Sequence, residues 1–481
     1  MPTFRCHLSD EVVPLAHSWE HTVGSDHAPV ALRADWQAQL RRCHLELGFR
    51  HVRFHALLSD QMGTLICQNE EFLYSFFNAD RIMDYLLSIG MRPFVELSFM
   101  PETLASGTKT VFHYRANVTP PKDYKQWATL VHKLVAHWVE RYGVREVKEW
   151  FFEVWNEPNL EAFWTGKKED YFKLYRYTAR AIKSVDASLR VGGPATAQNA
   201  WVKEFLDFCD KHKLPADFIT THYYPTDAFG KIDTDTVSQL AHAPRDVMLE
   251  RAEETRKHAR RLPVYYTEWN ITSNPRDPFH DEPFAASFAT YIAMSVQSLV
   301  EGYSYWTFSD IFEENYFPSV PFHGGFGLLN LHGIAKPVYR AFELLHHIGT
   351  QMFAVQGKHK TASAWAARRD SSALTLLLTN HAMPRHAIKT EIVKVQLFDA
   401  NRPPRTAYIE RIDETHANPR ALWREMGEPT YLSHVEVEQL QTASSLIKEA
   451  QPLKYEDQTI HLEVTLPPQS VAAITIEGVF A

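Results

Sequence analysis

The decapeptide WFFEVWNEPN, from Trp150 to Asn159, decides how the chain is read. Its first part, Trp150–Trp155, is an apolar run of strand length, and a polar turn follows that opens on Asn156 and Glu157. A long amphipathic pattern, Tyr124–Tyr142, lies upstream, and another, Tyr171–Val185, lies downstream. A buried strand between two helices is a unit of a parallel sheet. The texture repeats outward in both directions. Apolar runs at Phe49–Phe54, Phe94–Leu97, Arg190–Gly192, Phe218–His222, Pro263–Glu268 and Gly302–Phe308 alternate with helical patterns at Asp35–Leu47, Asp80–Ile89, Trp201–Lys213, Arg245–Arg261 and Phe284–Val300. An eighth strand fits at His17–Val23, ahead of the first helix. Eight such units predict an α/β fold, a (β/α)8 TIM barrel over residues 14–350. A doubly wound sheet is the competitor, but no glycine-rich phosphate loop follows any strand.

After Gly349 the texture changes. Runs at Leu374–Thr379, Thr390–Phe398, Ala407–Ile412 and Val471–Ile476 are rich in Val, Ile, Leu and Thr and are broken by Pro and Asn. They predict an accessory antiparallel β-sandwich over residues 351–481, to which residues 1–13 add a strand. No repeat or long linker separates the two parts, so they are expected to pack firmly.

Composition narrows the function. Of 481 residues, 45% are hydrophobic and 22% charged, which excludes a disordered chain and a membrane protein. Even the least charged stretch, Pro283–Val300, carries Ser287, Thr290, Ser295, Gln297 and Ser298, and reads as a buried helix. A net charge of -8 gives no reason to expect nucleic acid as a partner. Cys6, Cys43, Cys67 and Cys209 have no close spacing, so neither a zinc knuckle nor a disulfide framework is indicated. Free thiols fit a reducing compartment, and the stretch MPTFRCHLSDEVVP lacks an apolar signal core, so a cytoplasmic location is expected.

In a barrel, chemistry collects at the C-terminal ends of the strands. The fourth strand ends at Asn156 and Glu157; the seventh, PVYYTEWN from Pro263 to Asn270, ends at Glu268. Two carboxyls facing one cavity can cleave a glycosidic bond. One, ionised, attacks the anomeric carbon, while the other, kept protonated by its surroundings, gives a proton to the departing oxygen. A single strand-end glutamate more often caps a helix or pairs with arginine, the reading given to Glu96. Glu153, on the same strand but deeper than Glu157, reads as a hydrogen-bonded interior group.

The NEP and TEW segments resemble those of the retaining glycoside hydrolases of clan A. Further stretches narrow the resemblance. RFHALLSD (Arg53–Asp60), NVTPPKDY (Asn117–Tyr124), FEVWNEPNL (Phe152–Leu160), THYYP (Thr221–Pro225), YYTEWN (Tyr265–Asn270), YWTFSDIFEE (Tyr305–Glu314) and FHGGFGL (Phe322–Leu328) run in order through the barrel. They resemble glycoside hydrolase family 39, and its bacterial β-xylosidase branch more than its lysosomal iduronidase branch. The resemblance implies a barrel with a β-sandwich, no cofactor and no metal, and short xylo-oligosaccharides as substrate. It makes Glu157 the acid/base and Glu268 the nucleophile, and puts Asn156 on the sugar 2-hydroxyl. His222 and Tyr224 would stand beside the nucleophile, Trp306 would stack on the sugar, and His55 would bond ring hydroxyls. Glu313 and Glu314 match a glutamate pair that reaches the sugar, without deciding which one does. Members of this architecture often assemble as homo-tetramers. Unaided, His222 and Trp306 would read as core residues, and Glu313 and Glu314 as a solvated pair.

Two departures bear on specificity. Ala56 stands where glycine is common, and its methyl is expected to crowd the cavity floor or shift the loop after strand two. Val111–Ala116 (VFHYRA) differs in detail from the family's version. Other readings stay open. The same mechanism could serve an L-arabinosidase, β-glucosidase, β-galactosidase or α-L-iduronidase. A non-catalytic sugar-binding barrel would usually have lost a carboxylate, and both are present. The 25 histidines prompt a metal-dependent hydrolase, but there is no HExxH pattern, and His212, His346 and His347 read as surface residues.

Overall fold

The computed structural model describes residues 1–226, 235–314 and 318–480. Its centre is a closed parallel barrel. The strands are β1 (Thr22–His27), β2 (His51–His55), β3 (Arg92–Leu97), β4 (Phe151–Val154), β5 (Arg190–Thr196), β6 (Phe218–Tyr223), β7 (Val264–Trp269) and β8 (Gly302–Tyr305). Each pairs with the next, and β8 closes on β1. The intervening helices are α1 (Ala34–Leu47), α2 (Phe77–Ser88), α3 (Tyr124–Tyr142), α4 (Lys168–Val185), α5 (Val202–His212), α6 (Val247–His258) and α7 (Pro283–Val296), with α8 (Pro337–His346) after β8.

Local chemistry sets these elements. In α3, Trp127, Leu130, Val131, Leu134, Val135 and Trp138 form one buried stripe at helical spacing. The Asp123 carboxylate accepts from the Lys125 N–H at the start of that helix, and Gly143, at φ 83°, ends it. Helix α7 is buried almost all round because it packs between α8 and the strands Ala373–Asn380 and Ser470–Glu477 of the second region. Among the described residues, no helix is long and apolar enough to cross a membrane.

The second region has two facing sheets with their own apolar core. Glu391–Phe398 alternates buried and exposed side chains, as a strand with one wet face must. Residues at the N-terminus join both sheets: Thr3–His7 lies beside Glu391–Phe398, and Val13–Pro14 beside Gln351–Phe353.

The structure differs from the sequence reading in three places. The eighth strand is not His17–Val23 but Thr22–His27: His17 turns at φ 47° and Ser18–Glu20 forms a short helical turn. Thr3–His7 runs antiparallel to Val355–Gln356 but parallel to Glu391–Phe398, whereas a wholly antiparallel region was expected. Two helices, α9 (Pro419–Glu425) and α10 (His434–Ala443), interrupt the β region. Their start signals are in the sequence, Asn418–Pro419 for one and the Ser433/Glu436 capping box for the other.

Candidate active site

Arg53 organises the upper end of the barrel. It shares the inward face of β2 with His55, two residues on, and is wholly buried. A buried guanidinium must find anions, and this one finds three. Its Nε donates to Glu153 Oε2 at 2.6 Å, Nη1 donates to Glu268 Oε1 at 2.8 Å, and Nη2 lies 2.7 Å from Glu96 Oε2. Nη2 also donates to Asn156 Oδ1 at 3.0 Å. Because arginine only donates, this bond engages the Asn156 carbonyl oxygen and not its NH2.

Glu157 and Glu268 come together over this hub. The ladder between β6 and β7 slips at Thr221/His222, and the β7–β8 ladder slips at Tyr266/Trp269. Consecutive residues Thr267 and Glu268 both reach interior partners as a result: Thr267 donates to Glu153 Oε1 at 2.8 Å, and the Tyr224 hydroxyl donates to Glu268 Oε2 at 2.8 Å. Glu157 leaves β4 through residues with positive φ, Trp155 at 72° and Glu157 itself at 42°. Its Oε1 lies 2.9 Å from His222 Nδ1, and His222 Nδ1 is 3.6 Å from Glu268 Oε2. Carboxylate oxygens of Glu157 and Glu268 lie within 4.8 Å of each other.

The environment separates the groups. Burial, reinforced by the charge of Glu268, raises the Glu157 carboxyl well above its ordinary value. Burial, with Arg53 and His55 nearby, keeps His222 neutral by lowering it far below the usual histidine range. His55 goes the other way. Burial opposes its charge, yet Glu96 at 2.6 Å from Nδ1, together with Glu314 and Glu268, raises it well above the ordinary value.

The loop after β8 places the two glutamates in different surroundings. Glu314 is buried, 3.4 Å from His55 Nε2, and burial pushes its carboxyl up to about 7 against the pull of His55. Glu313 lies on the rim, paired with Arg33 at 3.2 Å and 3.8 Å from His27 Nε2. Trp306 is almost wholly buried, its ring 4.7 Å from that of His55, in a cluster with Tyr224, Phe312 and Phe326. The VFHYRA segment adds the Phe112 ring, 6.3 Å from His55 and 5.5 Å from Phe163.

Sequence reasoning gave no role to Arg53, although it lay in a quoted stretch. A lone arginine amid apolar strand residues was the signal. Phe112 and Phe163 were likewise unassigned. Ala56 is wholly buried in the apolar core at φ 62°. Ligand atoms of Glu157, His222 and Glu268 lie close enough to chelate, as do those of Asp26, His27 and Glu313. In the first group, however, Arg53 already supplies positive charge to Glu268.

A (β/α)8 barrel whose rim holds two facing glutamates on β4 and β7 is the architecture of a glycoside-cleaving enzyme. The family model for glycosyl hydrolases family 39 matches residues 5–458, and the chain belongs to that family. It is 49% identical over 465 residues to a β-xylosidase of Caldicellulosiruptor saccharolyticus, covering 96% of this chain and 95% of that one. Identity to a β-xylosidase of Geobacillus stearothermophilus is 37% over 480 residues, with 96% and 93% covered. A crystal structure of a monomeric β-xylosidase from Caulobacter crescentus CB15 superposes with a TM-score of 0.87 at 34% identity, with 99% of each chain covered.

Proposed function

We propose that this glycoside hydrolase is a retaining exo-β-xylosidase, with Glu157 as acid/base and Glu268 as nucleophile. The observation that carries the reading is the approach of the two carboxyls to within 4.8 Å. Double displacement calls for ~5–5.5 Å, whereas inversion needs ~6.5–9.5 Å to admit a water. In the first step a Glu268 oxygen bonds to the anomeric carbon, the glycosidic bond breaks, and the Glu157 proton passes to the departing oxygen. Arg53 and Tyr224, both donating to Glu268, hold and aim its carboxylate. Once Glu268 is esterified its charge is gone, which removes one cause of the raised Glu157 pKa. Glu157 then takes a proton from water, whose oxygen displaces Glu268.

The Asn156 amide donates to the sugar 2-hydroxyl, and His55 and Glu314 bind ring hydroxyls. His222 holds Glu157, and Trp306, Phe112 and Phe163 wall the ring. Bulky walls disfavour the extra hydroxymethyl of a hexose, and the likeness to two β-xylosidases supports the same choice. The substrate is accordingly a short xylo-oligosaccharide. The four free cysteines suit a cytoplasmic setting. We carry a homo-tetramer into the reading; sedimentation of the full chain decides between it and a monomer.

Treatment with a slow 2-fluoroxyloside tests the chemistry: a glycosyl adduct on Glu268 is expected by mass spectrometry. The Glu268→Gly variant should lose on the order of 10⁶-fold in turnover, the scale seen when a covalent nucleophile is removed. Azide should then yield a glycosyl azide of inverted configuration. A label on another glutamate overturns the assignment, and equal efficiency on β-glucosides overturns the sugar.

A further inference from the structure

We propose that Trp423, on α9 outside the barrel, is a positioning residue that holds the loop after β8 so that Glu314 meets His55. The inference rests on the glycosidase reading above. Helices α9 and α10 stand apart from the core of the two sheets. Trp423 and Leu440 instead form a separate buried cluster with Phe322 and Ile334 from the barrel side. The Trp423 ring lies 5.5 Å from that of Phe322, and its indole N–H donates to the Pro429 carbonyl at 3.0 Å. Arg420, one turn earlier, donates to the Pro278 carbonyl at 3.2 Å and pairs with Glu282. The excursion is therefore anchored to two neighbouring connections of the barrel, those after β7 and β8.

From Phe322 the path to the sugar site has little slack. The Gly324 N–H donates to Asp281 Oδ2 and the Gly327 N–H to Asp310 Oδ1, each at 2.7 Å. Between them the Gly325 carbonyl accepts from Lys336 Nζ at 2.9 Å. That wholly buried ammonium lies 2.7 Å from Asp281 and 2.6 Å from Asp310. A methyl on Gly325 or Gly327 would sit 2.3 Å from Asp310, so neither turn nor carboxylate has room to drift. Phe326 then packs on Phe312 at 5.4 Å, and Phe312 on Trp306 at 6.2 Å, beside His55. Asp310 and Phe312 belong to the segment that presents Glu314. Phe322 is the apolar end of this assembly, and Trp423 is what covers it.

The test is a double-mutant cycle of Trp423→Ala with Glu314→Gln in the full chain, read as KM and kcat on whichever nitrophenyl glycoside the parent cleaves best. A wrong sugar thus shows in the parent, and a wrong role for Trp423 shows in the cycle. Trp423→Ala should raise KM roughly tenfold with kcat within about threefold, because a displaced loop loses ground-state contacts first. In the Glu314→Gln background the KM effect should shrink to about twofold, since coupled residues are non-additive. Trp423→Phe should restore KM. If Trp423→Ala does not fold, Leu440→Ala takes its place in the cycle. An unchanged KM, or the same fold-change in both backgrounds, overturns the proposal.

Discussion

The two ends of the barrel are built on the same strands and differ within two residues. At the lower end Phe94, Phe151, Phe218 and Tyr265 close the interior as one aromatic cluster, with Phe94 and Phe151 stacked at 4.8 Å. Two positions further along β3 and β4 stand Glu96 and Glu153, both bound to Arg53. That is about 6.6 Å of strand. Strand β2 shows the contrast in one residue type. Burial lowers His51 to about 4 against the pull of the His21 carbonyl, with Arg50, Arg190 and Arg92 reinforcing the fall. Four residues on, His55 is buried more deeply still, yet it is raised, because Glu96, Glu314 and Glu268 surround it. Burial sets how strongly neighbours are felt, and the neighbours set the sign. The aromatic floor closes the barrel beneath the ion network and leaves it in a low-dielectric setting, where charges act on one another most strongly.

The strongest way to break this comparison is at the upper end. Glu157→Ala should cost roughly 10²–10⁴-fold on xylobiose, whose leaving alcohol needs a proton. A dinitrophenyl xyloside should still be attacked, then stall until azide supplies a nucleophile that needs no base. The pH profile carries the sign. Glu157 must be protonated to act first, and its raised pKa keeps it so above the ordinary carboxyl range. The basic limb of kcat/KM should accordingly lie above that range in the parent and vanish in the variant. Equal slowing of both substrates with a retained bell would transfer the proton to another group, Glu153 first.

The lower end should answer differently. Phe151 is nearly fully buried against three aromatic rings and has the Arg190 guanidinium 3.9 Å from its centroid. Phe151→Ala should cost about 3–5 kcal/mol of stability, read as a lower denaturation midpoint. Folded enzyme should keep its parental pH profile. A shifted basic limb would mean that the floor tunes the carboxyls, and the division between the two ends would fail.

How far the sequence reveals each end follows from the same physics. Apolar runs separated by amphipathic helices made the barrel readable, and strand-end glutamates after apolar residues made Glu157 and Glu268 stand out. The first strand was misplaced because its inner residues Gly24, Ser25, Asp26 and His27 are small or polar, so no apolar run marks it. Arg53 was passed over because its importance lies in convergence: Glu96, Glu153 and Glu268 come from three other strands, and one sequence does not show which side chains meet. The different surroundings of Glu313 and Glu314 were closed to reading for a similar reason: Glu314 meets His55 and Glu313 meets Arg33.

The smallest expected effect comes from the residue that seemed at first to matter for specificity. At the upper rim several non-glycine residues turn with positive φ, among them Ala56, Trp155, Glu157 and Ala195, whereas Gly48, Gly90 and Gly143 serve such turns below, alongside Lys213 and Arg260. Left-handed backbone costs an alanine roughly 1–2 kcal/mol. Ala56→Gly removes that strain but frees the unfolded chain by about 0.4–1 kcal/mol. It also gives up a buried methyl worth about 0.8 kcal/mol. The terms nearly cancel, so the denaturation midpoint should scarcely move. Because Ala56 is wholly buried in the apolar core, the ratio of xyloside to glucoside efficiency should also stay within about twofold, far below the ~10-fold that even one methylene in a pocket can impose. A tenfold loss of selectivity in Ala56→Gly would show that the rim backbone reads the substrate through this turn, and the origin of the xylose preference would shift from the Phe112, Phe163 and Trp306 walls to the loop after β2.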